Sequence, residues 1–196
     1  MTSIIKVDNI QNSSGTAALS IDSSGRVAMS NKPGFLAAGQ VNSWKTVVTG
    51  AQWYSLVGGT TDTNGETTNL ANEFALDWTD SPGGGLGDTD NNFNTATGIF
   101  TAPVTGLYQF HLNMYGQKLA TGTGNYITFN SVRNGAIQSD WTIWGHGVQN
   151  TYTTIEVNRA WFLDAGHTFQ FTMYQSAANT FQFYGSYSWF SGYLVG

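Results

Sequence analysis

The sequence predicts an all-β protein of the sandwich or jelly-roll class. Only 10% of its 196 residues are charged and 14% are aromatic, whereas charged residues make up about 25% of an average domain. The 24 glycines, with many Thr, Ser and Asn residues, supply turns, while the helix formers Lys, Glu and Leu are scarce. Short apolar segments bounded by turn residues follow one another closely, which is typical of two packed antiparallel sheets.

The first 33 residues predict a separate N-terminal arm. They contain no aromatic residue, and their short apolar patches are separated by two glycine-ended turns, "NSSG" (12–15) and "DSSG" (22–25). This spacing predicts two short β-hairpins or a partial repeat. Because so little apolar bulk cannot form a core, we expect the arm to pack on the body, on symmetry mates or on a larger assembly.

Residues 34–196 form the predicted body, in which the aromatic residues are concentrated. The predicted strands are 35–39, 44–48, 53–56, 73–78, 98–102, 107–115, 125–133, 138–145, 152–158, 160–163, 168–174 and 181–194. The Asn-Gly pair in "RNGAIQ" (133–138) predicts a tight hairpin. In "NTYTTIEVNRAWFL" the apolar residues alternate only roughly with period two. We expect long loops at 57–72 and 79–92.

The stretch "GIFTAPVTGLYQFHL" (98–112) predicts two strands joined at a corner. Pro103 cannot serve a central ladder and Gly106 turns freely, so we place the corner between them. The two-residue period of a strand directs Tyr108, Phe110 and Leu112 into the sandwich. The opposite set, which is left for neighbouring molecules, is Leu107, Gln109 and His111.

Charge and composition exclude several classes of function. The net charge is −5 and the seven Lys and Arg residues are scattered, so nucleic-acid binding is not expected. The absence of an apolar run near 18 residues argues against membrane insertion. The chain has no Cys, and its beginning does not resemble a secretion signal. We therefore expect synthesis in a cytoplasm. The chain also has few charged residues with which to guard exposed sheet edges.

Nothing in the sequence indicates catalysis. The three His residues have no ligand-spaced partners, which leaves a zinc site without support, and no Gly-x-Ser-x-Gly elbow is present. Asp140 and Glu156 could form a carboxylate pair, but their context does not favour one. We expect no enzymatic activity, no catalytic residues and no organic cofactor.

A spaced set of aromatic and glycine residues resembles the signature of the complement-1q-like globular domain. The central part of this set is Phe93, Phe100, Gly106, Tyr108 and Phe110, with Asp88 five residues before it. The closing "YSWFSGYLVG" (187–196) adds Phe190 and Gly192. The resemblance covers about residues 35–196 and implies a ten-stranded jelly roll of the complement-1q and tumour-necrosis-factor type, assembled as a homotrimer.

Calcium is the one metal that the resemblance suggests, because some complement-1q-like heads bind it through loop carboxylates. "DTDNN" (88–92) begins like a calcium loop but lacks its glycine and its closing glutamate. Asp80, Asp88 and Asp90 are the candidates. The alternative is a solvated loop in which these residues make local turns.

The tryptophans Trp141, Trp144 and Trp161, together with Trp189, Tyr184 and Tyr187, allow two interpretations. They pack in the core or around a trimer axis, or they form a platform on which sugar rings stack. The Asn- and Thr-rich loops at 117–125 and 146–154 would then supply hydrogen bonds to the sugar.

The N-terminal "IIKVDNIQNSSGTAALSIDSSGRV" resembles short N-terminal segments of tailed-phage virion proteins. Together with the body, it implies a homotrimeric virion surface protein that residues 1–33 attach to other virion proteins. Such a protein acts by assembly or adhesion, as a capsid decoration protein or a short fibre. The alternatives are a tail-fibre tip that binds host polysaccharide and, more remotely, a secreted lectin-like protein.

Overall fold

The computed structural model describes residues 7–15, 17–21, 23–25, 27–28, 33–39, 44–46, 52–55, 74–76, 88, 91–94, 97–118, 125–144, 152–177 and 181–195. The chain divides into two compact units, Met1–Lys32 and Pro33–Gly196. No helix in these ranges is long and apolar enough to cross a bilayer.

The N-terminal unit contains an antiparallel sheet in the order β1–β2–β3. Its strands are β1 Asn9–Gln11, β2 Ala17–Ile21 and β3 Val27–Ala28. The first turn is closed by a 3.0 Å hydrogen bond from the Gly15 N–H to the Asn12 carbonyl, and Gly15 has φ +85°. Gly25 has φ +76° in the second turn. Both values favour glycine, so the two predicted hairpins are confirmed.

The second unit contains fourteen strands and one 3₁₀ helix among its described residues. They are β4 Gly34–Gly39, β5 Trp44–Thr46, β6 Gln52–Ser55, β7 Phe74–Leu76, β8 Phe93–Asn94, β9 Ile99–Thr101, β10 Gly106–Lys118, β11 Ile127–Arg133, β12 Ala136–Ile137, β13 Thr142–Trp144, β14 Tyr152–Leu163, β15 Thr168–Gln175, β16 Phe181–Tyr184, the 3₁₀ helix Gly185–Tyr187 and β17 Trp189–Leu194. Sheet 1 has the order β5–β16–β10–β17–β4–β7, with β14 also paired to β10. Sheet 2 has the order β12–β11–β15–β9–β8, with β13 paired to β11 and β6 to β15.

Eight of these strands pair in a nested pattern. From the outside inward, β4 pairs with β17, β9 with β15, β10 with β14, and β11 with β13. Two further contacts, β10 with β17 and β11 with β15, join these pairs into two sheets. This is a long hairpin rolled into a sandwich, which is the jelly-roll topology. The predicted all-β jelly-roll class is confirmed, with short strands extending both sheets.

Aromatic rings fill the space between the sheets. Ten of the twelve phenylalanines are buried there. Phe110 stacks on Phe169 with ring centroids 3.7 Å apart, and Phe35 stacks on Phe93 at 4.3 Å. Gly192 lies between Phe110 and Phe35. The core therefore brings together the sequence signature: Phe93, Phe100, Tyr108, Phe110 and Phe190 are all buried, as are Gly106 and Gly192.

The corner in "GIFTAPVTGLYQFHL" is built differently from the prediction. Tyr108, Phe110 and Leu112 are fully buried, as expected. However, Gly106 is already the first residue of β10 and lies outside the positive-φ set. The Tyr108 hydroxyl donates a 2.7 Å hydrogen bond to the Val104 carbonyl, so the tyrosine fixes the corner that precedes it.

The rough alternation in the stretch 152–163 comes from one uninterrupted strand, β14, where two were predicted. Ile155 and Val157 face the core, whereas Tyr152 and Phe162 point to the opposite side. The four apolar residues therefore belong to two faces, and the alternation is strict once they are separated. The predicted strand 138–145 is reduced to β13, Thr142–Trp144, because residues 138–141 lie outside the ladder and follow the short strand β12.

Candidate functional site

The outer surface of sheet 1 carries the largest group of solvent-accessible aromatic side chains described in the second unit. We call this surface the aromatic face. It consists of Trp44, Leu107, His111, Tyr115, Tyr152, Phe162, Tyr184, Tyr187, Trp189 and Tyr193. The strand period places all of these residues except Tyr187, which belongs to the 3₁₀ helix, opposite the core-facing set of β5, β10, β14, β16 and β17.

Five rings meet at one end of the aromatic face. Trp44 stacks on Tyr152 at 5.5 Å and meets Tyr184 edge-on at 5.1 Å. Tyr115 lies 6.1 Å from Tyr152 and 5.4 Å from Tyr187. Tyr184 and Tyr187 are 4.8 Å apart. Centroid separations of about 4.5–7 Å are those of favourable aromatic pairs, so the rings support one another on an open surface.

The break between β16 and β17 positions this cluster. The 3₁₀ turn interrupts the strand, and the Ser188 hydroxyl closes the gap by accepting a 3.1 Å hydrogen bond from the Tyr115 N–H. The Asn113 side-chain amide donates a 3.0 Å bond to the Tyr187 carbonyl. These two hydrogen bonds hold the 3₁₀ turn against β10, so that the Tyr187 ring lies beside Tyr115.

The rest of the aromatic face is apolar and almost uncharged. The His111 ring meets Trp189 edge-on at 4.4 Å. Phe162 lies opposite Leu107 in the β10–β14 register, and Phe162 and Tyr187 are each 60% exposed. Of the described side chains that point outward from sheet 1, only Glu156 carries a full charge at neutral pH. Aromatic enrichment with charge depletion is typical of the core of a protein–protein interface.

A polar clamp joins the two sheets at the β13–β14 edge. The Arg159 Nε donates to Asp140 Oδ2 at 2.7 Å, and its Nη2 donates to the Asp140 carbonyl and to Thr142 Oγ1. Asp140 also accepts from the backbone N–H of Ser131 at 2.9 Å and from its hydroxyl. Trp161 Nε1 donates a 3.2 Å hydrogen bond to Ser131 Oγ, which completes the network. Asp140 is therefore bound to an arginine, and it forms no pair with Glu156, which points outward.

The structure separates the predicted tryptophans. Trp161 is half-buried, packs against the core and lies 4.9 Å beneath the Arg133 guanidinium. Trp141 is 57% exposed. The side chain of Trp144 lies outside the described residues, as do the loops 119–124 and 145–151. Trp161 thus has a packing role, whereas the ring of Trp141 is open to solvent.

Asp88 has a structural contact at the start of the signature. Its Oδ2 accepts a 2.7 Å hydrogen bond from the Phe93 N–H. Asp80 and Asp90 lie outside the described residues. Within the described ranges, no group of three or more acidic or histidine side chains could hold a metal ion. The calcium site stays a prediction. The hydrogen bond between Asp88 and the Phe93 N–H explains the five-residue spacing of these two residues without a metal ion.

Sequence reasoning missed the clamp and several members of the aromatic face, among them Trp44, Tyr115 and Tyr152. Trp44, Tyr115 and Tyr152 lie far apart in the chain and meet only through the pairing of β5, β10 and β14. For Tyr152 and Phe162, strict period-two numbering along 152–163 would have shown the shared outer side. Arg159 has no local signal, because its partner Asp140 is on the other sheet.

Comparison with protein-family models and with curated proteins finds no match. Solved structures with a similar fold include the globular domain of zebrafish complement 1qA, which is 14% identical and aligns over 85% of this chain and 98% of its own, with a TM-score of 0.49. The Eiger TNF of S. frugiperda is 12% identical over 84% and 94% of the two chains, with a TM-score of 0.47. Murine APRIL is 7% identical over 84% and 100%, with a TM-score of 0.49.

Proposed function

We propose that this chain is a surface structural protein of a tailed-phage virion. It forms a homotrimer through the aromatic face and attaches to other virion proteins through residues 1–33. It acts by assembly and adhesion, with no catalytic step. The observation that carries the proposal is the almost uncharged aromatic face on sheet 1.

Energetics favour a covered aromatic face. Phe162, Tyr187 and Tyr152 are each more than half exposed in a single chain, and burying a large apolar side chain contributes about 1.5–3 kcal/mol. Contiguous exposed apolar patches commonly mark interaction sites. Closed threefold symmetry buries the face in every copy and leaves no free copy of it for further growth.

The N-terminal unit is the candidate attachment element. Its longest described strand, β2, has five residues and spans about 17 Å. The attachment itself rests on the resemblance of residues 4–27 to phage virion segments.

Two experiments test the proposal. For assembly, Phe162→Glu places a charge in the aromatic face, and Val104→Glu places the same charge on an exposed apolar residue of the β9–β10 corner. Light scattering should show dissociation for Phe162→Glu alone. For location, purified full-length protein should bind phage particles that lack it, and failure to bind any particle component would exclude attachment.

Exposed Trp141 favours the tail-fibre tip as the second candidate. Its open ring is flanked by Asp140 and Thr142, although both already serve the clamp. An aromatic ring beside polar groups can stack on a sugar. If the trimer binds host polysaccharide and Trp141→Ala abolishes that binding, the receptor-binding function is favoured over decoration.

A further inference from the structure

Arg133, the last residue of β11, carries a guanidinium that no carboxylate neutralises. The group lies 4.9 Å from the centre of the Trp161 ring. In the part of the chain that the structure describes, this side chain has no hydrogen-bond acceptor and no acidic partner. It is half-buried, and its five N–H donors are left for a ligand.

The Trp161 ring holds this guanidinium in place. Trp161 packs against the core, and its Nε1 donates a 3.2 Å hydrogen bond to Ser131 Oγ. Ser131 and Arg133 are two residues apart on β11, so both side chains lie on the side of the strand that faces Trp161. A cation over an indole ring is attracted to it. A guanidinium fixed in this way loses less freedom when it binds an anion.

Two carboxylates in the adjoining segments are engaged elsewhere. Asp140 is paired with Arg159 at 2.7 Å. Asp164, in the turn after β14, is directed towards His167 at 3.8 Å and is largely in solvent. The charge of Arg133 therefore stays uncompensated at this edge of the sandwich.

An exposed aromatic ring lies along the same edge. Asp140 accepts a 2.9 Å hydrogen bond from the Ser131 N–H, which brings residues 140–141 against β11. The ring of Trp141 is 57% exposed. Because Ser131 and Arg133 are only about 7 Å apart along the strand, the guanidinium and the Trp141 indole are within the reach of one short oligosaccharide.

We propose that this edge binds an acidic polysaccharide, with the carboxylate of a hexuronate residue on Arg133 and a sugar ring on Trp141. The inference rests on the second candidate function above and names its ligand class. A guanidinium and a carboxylate match as a two-pronged pair, and an open indole offers a flat apolar surface to a sugar ring. The net charge of −5 repels densely charged polymers, which favours isolated carboxylates over clustered sulfates.

Titration calorimetry of the full-length protein tests the site with oligomers of galacturonate, glucuronate and mannuronate. Neutral dextran and dextran sulfate are the comparison ligands. We expect at least one hexuronate oligomer to bind, and to bind more tightly than either comparison ligand. Arg133→Gln removes the partner of the carboxylate and Trp141→Ala removes the ring, so each should weaken binding by about tenfold or more.

Two further variants separate charge from geometry. Arg133→Lys keeps a cation but loses the planar fork, so it should also weaken binding, although less than Arg133→Gln. Lys45→Gln removes the same charge from β5 of sheet 1 and should bind as the wild type does. The urea-unfolding midpoint of each variant is measured first, and Arg133→Lys carries the test if Arg133→Gln does not fold.

Every other outcome overturns the inference. If no hexuronate oligomer binds while the protein still assembles and attaches to particles, the ligand class is wrong and the proposed virion role stands. Binding that folded Arg133→Gln leaves unchanged shows that the guanidinium is not the anion site. Equal binding of dextran, weakened by Trp141→Ala alone, assigns the edge to neutral sugars. Tighter binding of dextran sulfate, weakened equally by Lys45→Gln, reduces the contact to general electrostatic attraction.

Discussion

Among the described glycines, Gly192 leaves the least room for a side chain, and Gly192→Ala tests this directly. A Cβ at this position would lie 2.6 Å from Phe110 Cδ1 and 2.6 Å from Phe35 Cε1, whereas carbon atoms in contact lie about 3.5–4.0 Å apart. Neither ring can retreat, because Phe110 is stacked on Phe169 and Phe35 on Phe93. One methyl group therefore displaces two stacked pairs.

The expected loss of stability is about 3 kcal/mol, at the upper end of the range for overpacked cores. With a urea dependence of about 3 kcal/mol per molar, the unfolding midpoint should fall by about 1 M. The assay is urea unfolding followed by tryptophan fluorescence at matched protein concentrations. Ser191→Ala, on the neighbouring outward position, is the control and should change stability by less than about 0.5 kcal/mol. A Gly192→Ala midpoint equal to that of the control would refute the packing argument.

Three further predictions concern polar groups. Asp140→Ala leaves the Arg159 guanidinium without its carboxylate and should cost about 2–3 kcal/mol in urea unfolding; a loss below about 0.5 kcal/mol would show that the clamp is dispensable. Burial raises the pKa of Tyr108 above its ordinary value of 10.0, so the unfolded chain releases that proton first and stability should fall as the pH rises beyond about 10. Tyr108→Phe should flatten that decline, and an unchanged alkaline slope would contradict it. Asp88→Ala should lower the thermal midpoint in the presence of EDTA, since the Phe93 N–H loses its acceptor; a loss seen only with calcium would instead support the metal site.

Local patterns were sufficient for most of the fold. The Asn-Gly pair predicted the β11–β12 hairpin, where Asn134 has φ +49° and Gly135 φ +77°, because few residues other than Asn and Gly adopt these angles. The inward direction of Tyr108 and Phe110 followed from the strand period alone. Such features depend on neighbours in the chain, which a single sequence contains.

The aromatic face and the clamp depend on pairing between distant strands. Tyr115 and Tyr152 meet because β10 and β14 pair along almost their whole length, and that register has no signature in either segment. Arg159 and Asp140 meet across two sheets. Tryptophan content indicated a cluster, yet Trp161 is packed and Trp141 exposed, since burial is decided by tertiary position.

The mass of the full-length protein in solution tests the central claim most directly. Light scattering should give about three times the 21.2 kDa of one chain, with Phe162→Glu reducing the mass to that of a single chain and Val104→Glu leaving it unchanged. A wild-type mass of one chain at micromolar concentration would contradict the claim. So would a trimer that withstands Phe162→Glu together with Tyr187→Glu, because its contacts would then lie outside the aromatic face.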